Sequence, residues 1–147
     1  RKVLERSVYI LTPTVLFRRT ALDRSGYFDE TFTRHQDLQL FLDFLINHKM
    51  QVLPEYHVKI HVDIGGNRPN ARKMIEVKQH FFKKMKRHFD SYDKKVQGRI
   101  YAGHYFEIIF LLLKERKIAL IFKYIIKIGL RPAAYYDLLK RISKRKN

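Results

Sequence analysis

Cysteine does not occur in this chain of 147 residues. Its absence excludes disulfides, thiolate metal sites and a cysteine nucleophile, and it fits a reducing compartment. Long apolar runs are missing as well: "FEIIFLLL" meets Lys114-Glu115-Arg116-Lys117, and "IALIF" meets Lys123. No window therefore reaches the roughly 18 apolar residues of a membrane span. The N-terminus does not read as a signal peptide. P-loop, G-x-G-x-x-G, G-x-S-x-G, H-E-x-x-H and D-x-D patterns are all absent, which removes the commonest nucleotide, hydrolase and zinc-protease signatures. There is no internal repeat and no low-complexity segment.

Acidic residues are scarce in one half only. Residues 1–66 hold 9 Lys+Arg against 8 Asp+Glu, a net of +1, whereas residues 67–147 hold 22 against 6, a net of +16. A nearly neutral segment joined to a strongly basic one suggests a catalytic or structural part carried beside a part that meets a polyanion. Hydrophobic residues make up 46% of the chain and aromatics 14%, which is enough for a packed core and argues against wholesale disorder.

"VYILTPTVLFR", residues 8–18, is rich in β-formers, with Pro13 confining one point to an edge, a bend or a strand start. Thr20 is placed to cap a short helix that Gly26 ends. After the loop "YFDETFTRHQ", Leu38, Phe41, Leu42, Leu45 and Ile46 recur at helical spacing from Asp37 onward. "QVLP" and "YHVKIHV" then read as two strands. The order β, short α, loop, α, β, β is that of an α/β or α+β half-sheet. Gly65-Gly66 and Pro69 punctuate a linker at the place where the charge balance changes. Beyond it helices are expected over about 71–89, 93–116, 118–128 and 132–145, with Pro132 suited to a first turn. The expected organisation is an α/β part over residues 1–66 and an all-α basic part over residues 67–147.

The stretch "GYFDETFTRHQD", residues 26–37, concentrates the chemistry. Asp37 opens an amphipathic helix, where a carboxylate is held by backbone N–H groups and by the helix dipole. Capping and catalysis are both open to it. Arg34 and His35, in the same loop, are candidates to touch an acceptor or a donor phosphate. Asp29 and Glu30, between Phe28 and Phe32, read as structural. His57 and His61, four apart on an expected strand, lie roughly 13 Å apart by strand rise and do not share one metal without a bend.

A basic-ended "VLFRR", a short helix, the turn Gly26-Tyr-Phe-Asp-Glu30, then Gln36-Asp37 at a helix start and strands running to His61 together resemble the C-terminal half of family 2 glycosyltransferases with the GT-A fold. The likeness covers about residues 12–63 and rests on short motifs in the right order, with Gln36-Asp37 standing where the family usually has Glu-Asp. It implies a partial GT-A-like α/β fold and an inverting transfer of sugar from a nucleotide sugar to a glycan or lipid-linked acceptor. In that likeness Asp37 is the general base, Gln36 its neighbour at the substrate, His61 a ligand of a divalent cation (Mg or Mn), and Arg68, after Gly65-Gly66, lies in a lid near the donor diphosphate. The metal-binding D-x-D belongs to the nucleotide-binding half of that family. The chain, which begins at Arg1, thus reads as a fragment lacking that half and inactive alone, from an enzyme of polysaccharide or cell-envelope biosynthesis.

In the basic half, Ile118, Ile121, Phe122, Ile125 and Ile126 make one helical face, with Lys117, Lys123 and Lys127 on another. Packing onto the domain and rest on an anionic membrane surface both fit such a pattern; the second implies a cytoplasmic protein peripheral at the inner face of the cell membrane. "KQHFFKKMKRHF" and "KRISKRKN" mix cations and aromatics as nucleic-acid binders do. No RRM, KH, zinc-finger or helix-turn-helix signature accompanies them, which argues against nucleic acid. The competing reading of the whole chain is a non-catalytic basic α+β module that binds nucleic acid or anionic lipid.

Overall fold

A computed structural model describes residues 1–61 and 69–129. Among them the regular structure is helical: α1 (Arg19–Ser25), α2 (Gln36–Asn47), α3 (Ala71–Lys84), α4 (Lys86–Asp90), α5 (Lys94–Lys114) and α6 (Ile118–Ile128), with a single 3₁₀ turn at Thr12–Thr14. The helix expected over residues 132–145 falls outside the described residues.

The α/β, GT-A-like half expected over residues 1–66 is not formed. No strand occurs among the described residues. Residues 8–11, 15–18 and 48–61 run largely without regular structure, and many of their apolar side chains stay in water, Leu16 at 97% exposure and Val52 at 81%, although Phe17 packs on Phe41 and Phe44. The reason is physical. β-Forming side chains favour a pleated, half-buried surface, but a strand exists only where a second backbone supplies the ladder. Here none does.

The helices form where period and caps agree. Asn70 accepts from the Lys73 backbone N–H at 2.8 Å to start α3, and Asp93 accepts from that of Val96 at 2.8 Å to start α5. Gly26 and Gly129, at φ 78° and 69°, end α1 and α6 in a conformation that costs glycine little. The helix expected over about 71–89 is broken at Met85 (φ −88°, ψ 10°) into α3 and α4.

Two larger apolar clusters and a small one, Ala102 with Ile128, hold these elements. In the first, Phe32, Leu38 and Leu42 meet Phe81, Phe89 and Ile100, all buried, so the loop before α2 and α2 itself rest on α3, α4 and α5. In the second, Ile108 and Leu112 of α5 meet Ile121 and Tyr124 of α6, closing a helical hairpin over the short turn 115–117. Full burial of each such side chain contributes about 1.5–3 kcal/mol. An N-terminal turn, with Leu4 at its centre, packs against α5 at Gly103, where a Cβ would lie 2.3 Å from the Glu5 carbonyl oxygen.

Candidate functional site

The loop between α1 and α2 is folded by its own short-range bonds. Asp29 accepts from the Thr31 backbone N–H at 2.9 Å and from its hydroxyl at 2.5 Å, and these bonds, with burial opposing and Lys84 at 3.5 Å assisting, hold its carboxyl below the usual range. The Gln39 side chain accepts from the Asp29 N–H at 3.1 Å, tying the loop to α2. Phe32 plugs the centre, its ring edge-on to His80 and Phe81 at 5.1 and 6.2 Å. Asp29 and Phe32 thus have structural roles, whereas Phe28, which flanks the acidic pair on the other side, is 46% exposed.

His35 is the residue on which α2 starts. It adopts the left-handed conformation (φ 67°, ψ 21°), uncommon for any residue but glycine. Its carbonyl takes the first helical bond, from Gln39 N–H at 2.9 Å, and its ring packs edge-on against Phe81 at 5.6 Å and His104 at 6.4 Å. Gln36 donates to the Phe32 carbonyl at 2.6 Å, closing the loop. Asp37 is not the N-cap. The helix begins one residue earlier, and Asp37 lies in its first turn, half-exposed, accepting from the Leu38 N–H at 2.7 Å. A carboxylate there is favoured by the helix dipole.

Beneath His35 lies a charged cluster that the sequence did not single out. Lys78 and His104 are completely buried. The Lys78 ammonium donates to His104 Nδ1 at 2.9 Å and to Glu107 Oε2. Glu107 also accepts from Arg6 Nε at 2.7 Å and from the Tyr9 hydroxyl at 3.4 Å. Burial favours the neutral carboxyl of Glu107, but Lys78 and Arg6 together outweigh it and pull the group down to about 2. Burial dominates at Lys78 and, despite Glu107, lowers its ammonium to about 8. His35 is lowered to about 3 by burial first and then by Lys78 and Arg6. His104 goes well below its ordinary value for the same reasons.

Donation from Lys78 leaves the His104 proton on Nε2, which is buried with no acceptor in hydrogen-bonding geometry, although the Leu4 backbone favours the ring's proton. The sequence did carry one signal: Lys78 falls between Val77 and Phe81 on the buried face of a helix, a position a lysine takes only with a partner.

Of the residues singled out from sequence, Arg34, His35, Gln36 and Asp37 sit together at the start of α2. His61 lies elsewhere, exposed at the end of the extended segment that contains the exposed His57–Glu55 pair at 2.7 Å. No group of three or more His, Asp or Glu that could hold one ion occurs among the described residues, and no step below passes through a metal. Arg68 lies outside the described residues. An apolar groove of about 250 Å³ between α3 and the α5–α6 turn, lined by Ala71, Ile75, Leu112 and Leu120 among others, shares no residue with the α2 site.

Lys78 has the perturbed acidity of a catalytic amine, but its side chain is only 1% exposed, so no substrate meets it. Its ammonium joins Glu107 to the His104 ring, and Glu107 in turn holds Arg6. Asp37 is half-exposed, with one carboxylate oxygen bonded to the Leu38 N–H. Compared with protein-family models, with curated proteins and with solved structures, the chain matches none.

Proposed function

We propose that this chain carries the acceptor side of an inverting glycosyltransferase, with Asp37 as its general base. The observation that supports this reading is the backbone just before that carboxylate. A histidine held left-handed costs about 1–3 kcal/mol, and such strain persists where the surroundings over-determine it, which is typical of working sites. Here the surroundings are Phe81, His104 and the buried Lys78–Glu107–Arg6 cluster, so Asp37 is mounted on a rigid base rather than on a mobile loop.

In the proposed reaction Asp37 removes the proton of an acceptor hydroxyl on a glycan or lipid-linked saccharide. The freed oxygen forms a bond to the anomeric carbon of a nucleotide sugar, the bond from that carbon to the diphosphate breaks, and the nucleoside diphosphate leaves with the electron pair. Arg34 and Gln36, beside the base, orient the acceptor. The donor belongs to residues other than those described, and the reading puts the reaction at the inner face of the cell membrane.

The test uses the intact protein with UDP-, GDP- and dTDP-hexoses and follows release of nucleoside diphosphate. Asp37→Asn is expected to lower kcat by about 100- to 10,000-fold, with a stability change within about 0.5 kcal/mol. Retained turnover with a large loss of stability would show a carboxylate that serves the helix alone. A non-catalytic basic module predicts no nucleotide release by either protein.

A further inference from the structure

The α5–α6 hairpin leaves an apolar stripe uncovered. Ile121, Tyr124 and Ile128 bury one side of α6, yet Ile118, Phe122, Ile125 and Ile126, at spacings of 0, 4, 7 and 8, remain exposed, at 64%, 61%, 39% and 76%. A helix at the surface of a globular protein carries one apolar face and a polar face opposite it. On α6 the apolar arc continues past the buried side, and the polar remainder is Lys123 and Lys127.

We infer that this outer stripe of α6 docks on an anionic lipid surface. The charge around it argues for that occupant. Residues 114–127 contain Lys114, Arg116, Lys117, Lys123 and Lys127 against the single acid Glu115, and residues 130–147 add six Lys+Arg against Asp137 alone. Two copies meeting through this face would bring like charges together, and the chain that follows α6 is itself basic. A nucleic acid complements the charge but gives isoleucines nothing to enter. An anionic bilayer meets both requirements, with the aliphatic stripe among the acyl chains and the lysines at the headgroups.

Two of the cations already sit at aromatic rings: Lys127 Nζ is 5.3 Å from the Tyr124 ring centre, and Lys114 Nζ is 4.8 Å from that of Phe110. With 11 residues, α6 is about 16 Å long, and no helix among the described residues is long and apolar enough to cross a membrane. The helix therefore lies in the interface plane. This inference does not depend on sugar transfer.

The experiment is co-sedimentation of the full chain with vesicles of equal parts phosphatidylglycerol and phosphatidylcholine, against vesicles of phosphatidylcholine alone, at low and high salt. Binding is expected to the anionic vesicles and to be weaker by more than about tenfold on the neutral ones, since each near-surface Lys or Arg is worth roughly fivefold. Phe122→Ser combined with Ile126→Ser leaves Ile121 and Tyr124 in place and is expected to lower binding by about tenfold or more. The chain has no tryptophan, so Ile126→Trp supplies a single indole whose emission is expected to move to the blue only when anionic vesicles are added.

No sedimentation at low salt would overturn the inference, as would equal sedimentation with both vesicle types. A dimer that the double serine variant dissolves would assign the stripe to a second copy. Emission already blue-shifted without vesicles would assign it to the chain's own residues. Binding to a DNA duplex that survives the double serine variant, without vesicle binding, would assign the charge to nucleic acid.

Discussion

Glu107 stands between two cations and a phenol. It accepts from Arg6, Lys78 and Tyr9, and the Lys78 ammonium beneath it is shielded from water. Glu107→Gln keeps the shape and removes the charge, leaving a buried ammonium whose remaining partner is the neutral ring of His104. Breaking a buried pair from one side costs about 3–5 kcal/mol, so thermal unfolding is expected to drop by more than about 10 °C. Replacing the pair together, as Lys78→Met with Glu107→Leu, is expected to restore only part of that loss, because it removes the buried ammonium but leaves Arg6, 16% exposed, without its carboxylate. A Glu107→Gln protein that melts with the wild type would show the cluster to be wet and weak.

At the scale of elements, α5 is the axis on which α3, α4 and α6 pack, and Gly103 is its contact with the N-terminal turn. Glu5, Arg99 and Arg6 draw that turn onto the helix, with Arg99 Nε donating to Glu5 at 3.0 Å and Arg6 reaching Glu107. Since a Cβ at residue 103 would stand 2.3 Å from backbone, no rotamer change relieves it. Gly103→Ala is expected to destabilise by about 1–3 kcal/mol, despite alanine's better helix propensity. It should also release residues 1–6, visible as faster amide exchange at Glu5 and Ser7, whose N–H groups bond to Arg1 and Lys2 carbonyls. Unchanged exchange would mean the turn shifts to accommodate the methyl at no cost.

The whole molecule should be sensitive to acid. His35 keeps its ring neutral down to about 3 in the folded state, whereas an unfolded histidine charges near 6.5. The unfolded chain therefore binds more protons between those values, and stability present above about pH 6.5 is lost as pH falls toward 3, at about 1.4 kcal/mol per unit for this group. His104 acts in the same direction. Glu107, lowered to about 2, adds a loss from about pH 4.5 downward. Lys78, lowered to about 8, makes stability rise from there to its unfolded value near 10.5. Thermal melts from about pH 7 to 4 are expected to show a steep decline, and His35→Asn, which tolerates the left-handed backbone, should flatten it. A flat profile for the wild type would mean that both rings take up protons in the folded state.

The helices over α3, α5 and α6 were legible from the chain's own pattern, and local geometry bounds them: Asn70 and Asp93 cap α3 and α5, and Gly129 stops α6 as Gly26 stops α1. Capping and periodicity are properties of neighbours in the chain, so they need no tertiary context. So too is the accumulation of charge beyond residue 66, which bears on what the α6 stripe meets. The strands over residues 8–18 and 51–62 could not be settled that way, since a ladder requires a second backbone that no local pattern supplies. Nor could the partners of Lys78, which became a structural group only when α3 met α5 and the N-terminal turn. Around Asp37 the division is sharpest. Its place near a helix start was local, but the left-handed His35 before it, and the buried charges under that ring, exist only because residues 26 to 101 positions apart in the chain are packed together.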